Sequence, residues 1–523
     1  MLFTRKLALL FSLLLWSTQQ IKAQDISKQL QDAFLKKDKS SLQSVLSSNF
    51  SIAGHTDETA QFRLEQIVDK YPITAFKQLE NNKEKNKNTT LLQVQRPNNT
   101  FDTTLVHLAN DGKIKHIDLF DKLYGMQRLP KAKIRASIPF KNQAGAIIFQ
   151  VYINNHPKPL NLLFDTGADG MAINEDVAKE LNLTISRTNN ASVVGGTQQI
   201  QVSDHNKIRI GDLALDNMGI AIFPAHNDKH TDGLIGNTLL KRFLTEVNYD
   251  QSTINLYDFG AFEYPKKGFT VPISLPESLI EIPANLELVA NKKADGRFIF
   301  DTGASYNLIC FRPFVRDNKM LVSGFKPQGQ TFTVSFGINT PTFFGNATGF
   351  AIQGLPNLMN MPVSLMGGSG SENQWNPTEQ GSIGNRLIAR YNLIVNIAEG
   401  EIHFSPNKLY EQPFDFVIHS AVLGWNENAQ LVILTDPARK EIHDKTDLPI
   451  KEINGLSVKD LLKKKENIQN IIDQSKKGKH YCPIRRWINL IHLIQYITFY
   501  KNENFNNDCI LPFLSIYCLG STK

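Results

Sequence analysis

The spacing of apolar residues changes period several times along the chain, and each change marks a candidate element. Ile26, Leu30, Ala33 and Phe34 recur at helical spacing, as do Leu42, Val45 and Leu46, and later Leu64, Ile67 and Val68. Strand-like runs follow at 74–79, 90–95, 103–108 and 113–120, the last entered from an Asp111-Gly112 turn. Helices followed by an antiparallel sheet predict a small α+β domain over 24–130. From residue 136 onward two-residue alternation dominates, as at 146–153. It is interrupted by a predicted helix over 174–181, opened by Asn174 with Glu175 and Asp176 in its first turn. Residues 192–200 read as a hairpin turning at Gly195-Gly196.

Two stretches of this β-rich region are nearly the same. Phe164-Asp165-Thr166-Gly167-Ala168 returns as Phe300-Asp301-Thr302-Gly303-Ala304, each led in by an apolar pair, Leu162-Leu163 and Phe298-Ile299. Downstream, Asp232-Gly233-Leu234-Ile235-Gly236-Asn237 is echoed by Gln380-Gly381-Ser382-Ile383-Gly384-Asn385. Val247-Asn248 and Ile254 recur as Val395-Asn396 and Ile402. A lone Asp-Thr-Gly is most often just a turn, since Asp and Gly are turn residues. Two copies in register form an internal repeat, and the repeat carries two carboxylates.

The doubled Asp-Thr-Gly-Ala, each copy followed by an apolar-Ile-Gly segment, resembles aspartic peptidases of the pepsin and retropepsin kind. Asp169 after the first copy is similar to the retropepsin motif, whereas both halves on one chain is similar to pepsin. With its flanking regions, the chain also resembles exported bacterial aspartyl proteases that carry a PDZ-like C-terminal segment. The resemblance implies a mainly β, bilobal double-β-barrel fold, with six-stranded lobes over 136–258 and 271–407 joined by a linker at 259–270. It implies that Asp165 and Asp301 meet in the cleft as the catalytic pair, and that Thr166 and Thr302 cross-link their loops. It further implies that the Gly195-Gly196 hairpin is a flap over substrate, although pepsin's flap tyrosine has no counterpart here. Leu234-Ile235-Gly236 is expected to pack behind the first Asp loop.

The chemistry explains the residue types. Two carboxylates about 3 Å apart cannot both ionise, so they share a proton. The ionised member takes a proton from water while the protonated member donates to a scissile carbonyl oxygen. The ionisations belong to the pair rather than to either acid. Gly167 and Gly303 permit a tight turn and bring backbone N–H groups toward the carboxylates.

Composition adds limits. Arg5 and Lys6 precede an apolar run from Leu7 to Trp16, and Ala23 stands at a predicted cut, so residues 1–23 read as a cleaved export signal. With 41% hydrophobic and 20% charged residues, the rest fits an exported soluble protein, periplasmic or secreted. The formal charge of +7 falls to about +4 without Arg5, Lys6 and Lys22, too dispersed to argue for nucleic acid. Lys463-Lys464-Lys465 reads as a solvated helix face. His55, His107 and His116 have no metal-ligand spacing, and neither metal nor cofactor is expected. The 24–130 domain has the element order of the nuclear-transport-factor-like fold and reads as an accessory domain. An insertion at 366–380 reads as a surface loop bordering the cleft. Residues 413–470, with a strand at 431–434, an Ile-Asn-Gly turn at Ile453-Asn454-Gly455 and a predicted helix over 458–469, resemble the later part of a PDZ domain. Residues 471–523 form a tail with Cys482, Cys509 and Cys518, among which three disulfide pairings are possible. Its apolar stretch 487–500 is too short to span a bilayer. Cys310 is expected to be a buried thiol.

Together these features point to a monomeric aspartic endopeptidase with an intramolecular Asp pair, acting on peptide or protein substrates. The alternatives are a catalytically idle peptide-binding protein using the same cleft, and an envelope scaffold. Two intact Asp-Thr-Gly motifs argue against the first of these.

Overall fold

The computed structural model describes residues 26–79, 88–224, 231–335, 338–368, 375–418, 421–435, 449–453, 456–463, 468 and 484–486. The export-signal segment, the tail cysteines and the apolar stretch at 487–500 lie outside the described residues. Two compact units are present: one reaches to Phe414 and includes 425–429, and the other comprises Asp415–Gly424 and the chain from Gln430. No described helix is long and apolar enough to cross a membrane.

The first unit begins with a helix over 26–36, a short 3-10 turn Lys39–Leu42 and a helix Asp57–Lys70. Strands Ala75–Gln78, Thr89–Gln95, Phe101–Leu108 and Ile114–Ile117 pair in sequence order as an antiparallel meander. Leu30, Phe34, Leu64, Phe76, Leu92 and Phe120 share its core. Two expectations change here. Leu42, Val45 and Leu46 do not form a full helix. The run expected as strand over 113–120 stops at Ile117 and becomes a helix, Asp118–Leu123. The Leu119 N–H donates to Thr104 Oγ1 (2.9 Å) rather than to a neighbouring strand, which takes the chain out of the ladder.

The repeat builds two closed sheets. In the first, strands run in the order 187–193, 196–210, 213–223, 171–174, 233–235, 160–164, 146–153 and 141–143, and Ile208–Ile210 closes it against Val151–Ile153. In the second the order is 281–289, 292–300, 381–383, 308–310, 358–366, 338–352 and 329–335, closed by pairing of 284–287 with 349–352. These sheets hold eight and seven strands, not six, because each includes a long hairpin. A further six-stranded sheet joins the lobes, with Thr245, Glu246 and Val247 opposite Val395, Ile394 and Leu393. These are repeat-related segments, so each copy pairs with its own counterpart, antiparallel, as a twofold relation requires. One apolar core runs through both lobes, from Phe149 and Phe164 to Phe298, Phe300 and Tyr391. The predicted helix over 174–181 is present as Glu175–Glu180, with Asn174 at its N-cap position.

The N-terminal domain, expected to be separate, has its own core but docks on the lobes. Thr56 N–H donates to Leu275 O (2.9 Å), and Leu275 N–H donates back to Thr56 Oγ1 (3.0 Å). Arg128, 9% exposed, joins the fully buried Asp121 (2.8 Å) to Glu399 (2.8 Å) and donates to Ala398 O (2.7 Å). Ala53 and Met126 are part of the lobes' core.

The second unit contains, among the described residues, a three-stranded sheet of Phe416–Ile418, Ala421–Trp425 and Leu431–Thr435, the edge residue Trp425 grouping with the first unit. It also contains a three-stranded sheet of Leu456–Ser457, Ile450–Ile453 and Ile484–Arg486. Its helix is described over Val458–Lys463, within the predicted 458–469.

Candidate active site

Each Asp sits where a buried strand runs out. Strand Leu160–Phe164 lies parallel to Gly233–Ile235, and strand Lys292–Phe300 lies parallel to Gly381–Ile383. The Asp165 N–H then donates to Ile235 O and the Asp301 N–H to Ile383 O, both at 3.0 Å. The strands are pinned by apolar burial, and the turn after each must leave the sheet tightly. Gly167 N–H donates to Asp165 Oδ1 (2.9 Å) and Gly303 N–H to Asp301 Oδ1 (3.0 Å). A Cβ at Gly303 would lie 2.3 Å from Asp165 Cγ, and one at Gly167 would lie 2.7 Å from Asp301 Cγ. The glycines are required because each loop backbone approaches the opposite carboxylate.

Thr166 and Thr302 are buried and grip one another reciprocally. Thr166 N–H donates to Thr302 Oγ1 (3.1 Å), and Thr302 N–H donates to Thr166 Oγ1 (3.0 Å). Each hydroxyl donates onward to the strand end of the other lobe, Thr166 to Phe300 O (2.5 Å) and Thr302 to Phe164 O (2.7 Å). Four hydrogen bonds thus fix two segments far apart in sequence. The apolar-Ile-Gly segments support them from behind: Asn237 Nδ2 donates to Thr166 O (3.1 Å) and Asn385 Nδ2 to Thr302 O (3.3 Å). A Cβ at Gly236 would sit 2.2 Å from Ala168 O, so this close backing also needs glycine.

The carboxyl groups of Asp165 and Asp301 come together at the lobe junction, each packed against the glycine of the opposite loop, and each acts on the other's ionisation. Asp301 is buried and Asp165 half-buried. Burial pushes both carboxyls above their ordinary range. The effect is greater for Asp301, where the neighbouring Asp165 charge adds to burial. Such a pair shares one proton between two acids and gives it up at higher pH than an isolated carboxyl would.

The two acids are not equivalent. Ser382 Oγ donates to Asp301 Oδ2 (3.3 Å) and shares a 2.6 Å hydrogen bond with the Tyr306 hydroxyl. Leu234 occupies the matching place in the first lobe, so this hydroxyl chain belongs to one side only. Sequence reasoning passed over it; the signal was Ser382 standing where the repeat has an apolar residue. Asp169, which also breaks the repeat, pairs with Lys241 at the surface.

The hairpin at Gly195-Gly196 is present, formed by Arg187–Val193 and Gly196–Ile210, with Gly195 at φ +94°. That left-handed conformation favours glycine. Sequence reasoning missed its counterpart in the second lobe, Gly329–Ser335 paired with Ile338–Ile352, although alternation at Thr331, Thr333 and Ser335 was a strand signal. The tips touch: a Cβ at Gly196 would lie 2.7 Å from Ile338 Cδ1. Ile338 packs on an apolar cluster of the first lobe that includes Ala168, Val193 and Leu234. Val194 packs on one of the second lobe that includes Tyr306, Phe311 and Trp375. Each tip therefore reaches the apolar wall beside the opposite Asp loop. Trp375, from the insertion expected to border the cleft, stacks edge-on against Phe311 at 5.0 Å. Cys310 is a buried free thiol, as expected, and burial raises its ionisation far above the usual range.

A bilobal β protein with a buried carboxyl pair at the junction of its lobes is the class that fold and site define. The family model described as aspartyl protease matches residues 149–239, the part of the first lobe that contains Asp165 and the first hairpin. Among solved structures, the chain is similar to the aspartic proteinase from Irpex lacteus, at 13% identity and a TM-score of 0.35, covering 53% of this chain and 98% of that one. No curated protein matches the chain.

Proposed function

We propose that this chain is an exported aspartic endopeptidase in which Asp165 and Asp301 activate one water between them. The observation that carries this reading is the pair of adjoining carboxyls held by two mutually gripping Thr loops. In the singly protonated pair, the ionised carboxylate takes a proton from the water as its oxygen attacks the peptide carbonyl carbon. The protonated carboxyl gives its proton to the carbonyl oxygen, leaving a gem-diol. On collapse, a diol proton returns to one carboxylate, the other acid protonates the departing nitrogen, and the C–N bond breaks. The backbone N–H groups of Gly167 and Gly303 steady one oxygen of each carboxyl, Asp165 Oδ1 and Asp301 Oδ1. The paired hairpins and the apolar clusters beneath them suit an extended peptide with apolar side chains about the scissile bond, with water excluded on closure.

The N-terminal domain serves as an accessory domain of nuclear-transport-factor-like plan, and the second unit as a PDZ-like module that holds substrate by strand addition. Export follows from the segment before residue 24. The direct experiment is to incubate the purified chain with a diverse peptide mixture from acidic to neutral pH and read the products by mass spectrometry. Internal cleavages at apolar sites are expected, blocked by a statine-type transition-state analogue. No cleavage at any pH would favour the idle peptide-binding protein.

A further inference from the structure

His107 and His116 lie apart in sequence but are register partners across strands Phe101–Leu108 and Ile114–Ile117. Their rings stack with centroids 4.2 Å apart, 27° from parallel. Asp118, the first residue of the helix that follows, brings a carboxylate to the same place, and one ligand atom from each of the three residues lies within 4.8 Å of the others. His107 Nε2 and Asp118 Oδ1 are 3.0 Å apart. Neither is aligned to share a hydrogen bond, and both are buried without another hydrogen-bond partner. Both ring nitrogens of His116, which is fully buried, also have none. The 3.0 Å His107–Asp118 contact and the approach of Arg128 to Asp118 offset part of the cost of burying these groups, but the two His116 nitrogens have no such return, and a group bound in common would supply it.

The donor set says what that would be. Two imidazole nitrogens and one carboxylate oxygen suit a borderline cation of the zinc class and are a poor match for calcium or magnesium, which take oxygen ligands. Bonds of about 2.0–2.1 Å at tetrahedral angles put ligand atoms about 3.3 Å apart, so binding requires atoms now within 4.8 Å of one another to close in and the two stacked rings to tilt until both point at one ion. A cavity of about 340 Å³ opens alongside, lined by His107, His116, Lys115 and Glu399 among others, with room for a water as fourth ligand. Neighbouring cations are already engaged: Lys115 pairs with Glu399 (3.0 Å), and Arg128 with Asp121 and Glu399, although Arg128 Nε also lies 3.7 Å from Asp118 Oδ1.

We propose that His107, His116 and Asp118, brought together by the register of two strands and the helix after them, bind one zinc-class divalent cation with its fourth position open to the cavity. The site lies in the N-terminal domain, takes no part in the Asp165–Asp301 chemistry and does not depend on the peptidase reading. Its effect is to clamp the last two strands to the helix that carries Asp121, the residue through which Arg128 reaches the lobes.

The test uses the full chain without a polyhistidine tag, stripped by chelator and titrated with Co²⁺. The wild type is expected to take up a single equivalent, with the visible bands of four-coordinate cobalt that Zn²⁺ then displaces, and Zn²⁺ should raise Tm. His107→Gln and Asp118→Asn change half-buried residues and should fold; each should abolish the bands and the Tm rise. Asp165→Asn should bind Co²⁺ as the wild type does. Absence of stoichiometric Co²⁺ and Zn²⁺ binding would overturn the proposal, as would undiminished binding in His107→Gln and Asp118→Asn.

Discussion

Ser382 gives the two acids different surroundings: its hydroxyl donates to Asp301, while Leu234 offers nothing comparable on the Asp165 side. A donor to a carboxylate favours the ionised form and holds its pKa down, so its removal raises the pKa of the pair. Ser382→Ala should move the pH profile of kcat/KM to higher pH, by up to about one unit given the strength of a hydrogen bond to a charged group. Ser382→Thr should keep the wild-type profile. An unmoved profile in Ser382→Ala would show that the hydroxyl chain to Tyr306 does not act on the acids. Stability carries a related signature. A carboxyl raised above its ordinary value of 3.8 contributes stability that is complete below that value and is lost as pH rises through the raised one. Asp301→Asn, which cannot ionise, should therefore gain thermal stability relative to wild type on going from about pH 4 to neutrality, as differential scanning calorimetry would reveal. At this scale the sequence was legible where it repeated: both acids, both threonines and both glycines stand in the motifs. Ser382 and Tyr306 were not, because a hydrogen bond between residues so far apart in sequence is set by packing, not by local pattern.

Among the elements, the hairpins carry the most testable geometry. The Ile338 side chain spans the gap between lobes, touching Gly196 and the cluster beside Asp165. Ile338→Ser removes half-buried apolar contact from the tip alone. It should lower kcat/KM for a peptide substrate by about tenfold, the factor that about 1.4 kcal/mol represents, with little change in Tm. Equal kcat/KM in mutant and wild type would mean the crossing tips do not cover substrate. The first hairpin was readable from Gly195-Gly196, whose turn chemistry is local. The second was not, because its turn lacks a paired glycine signal and its outward residues, such as Phe332 and Val334, are apolar and exposed. The helix Asp118–Leu123 escaped for a similar reason: the apolar pair Leu119-Phe120 after strand-like Ile114–Ile117 is ambiguous until Thr104 captures the Leu119 N–H.

Across the molecule, the relation of the N-terminal domain to the lobes could not be read from composition, since long-range ion pairs leave no periodic trace. Arg128 joins a fully buried Asp121 to Glu399. Arg128→Ala strands that carboxylate and should cost about 3–5 kcal/mol of stability at neutral pH, measured by chemical denaturation. Asp121→Asn in the Arg128→Ala background should recover part of the loss. A loss within about 0.5 kcal/mol, the range of ordinary surface substitutions, would show that the domain does not depend on this connection. The larger plan was legible because the lobes repeat: Val247-Asn248 and Val395-Asn396 were visible as copies, and the strands that carry them pair at the centre of the joining sheet, Val247 opposite Leu393 and Thr245 opposite Val395.

One chain supplies both halves of a single proton-transfer unit if turnover of a cleaved peptide depends equally on each acid, which Asp165→Asn and Asp301→Asn, each alone, would measure. Both variants are predicted to fold, with unchanged circular dichroism, and to lose hydrolysis completely, since either change leaves only one titratable carboxyl in the pair. Near wild-type turnover in either variant would contradict the intramolecular pair.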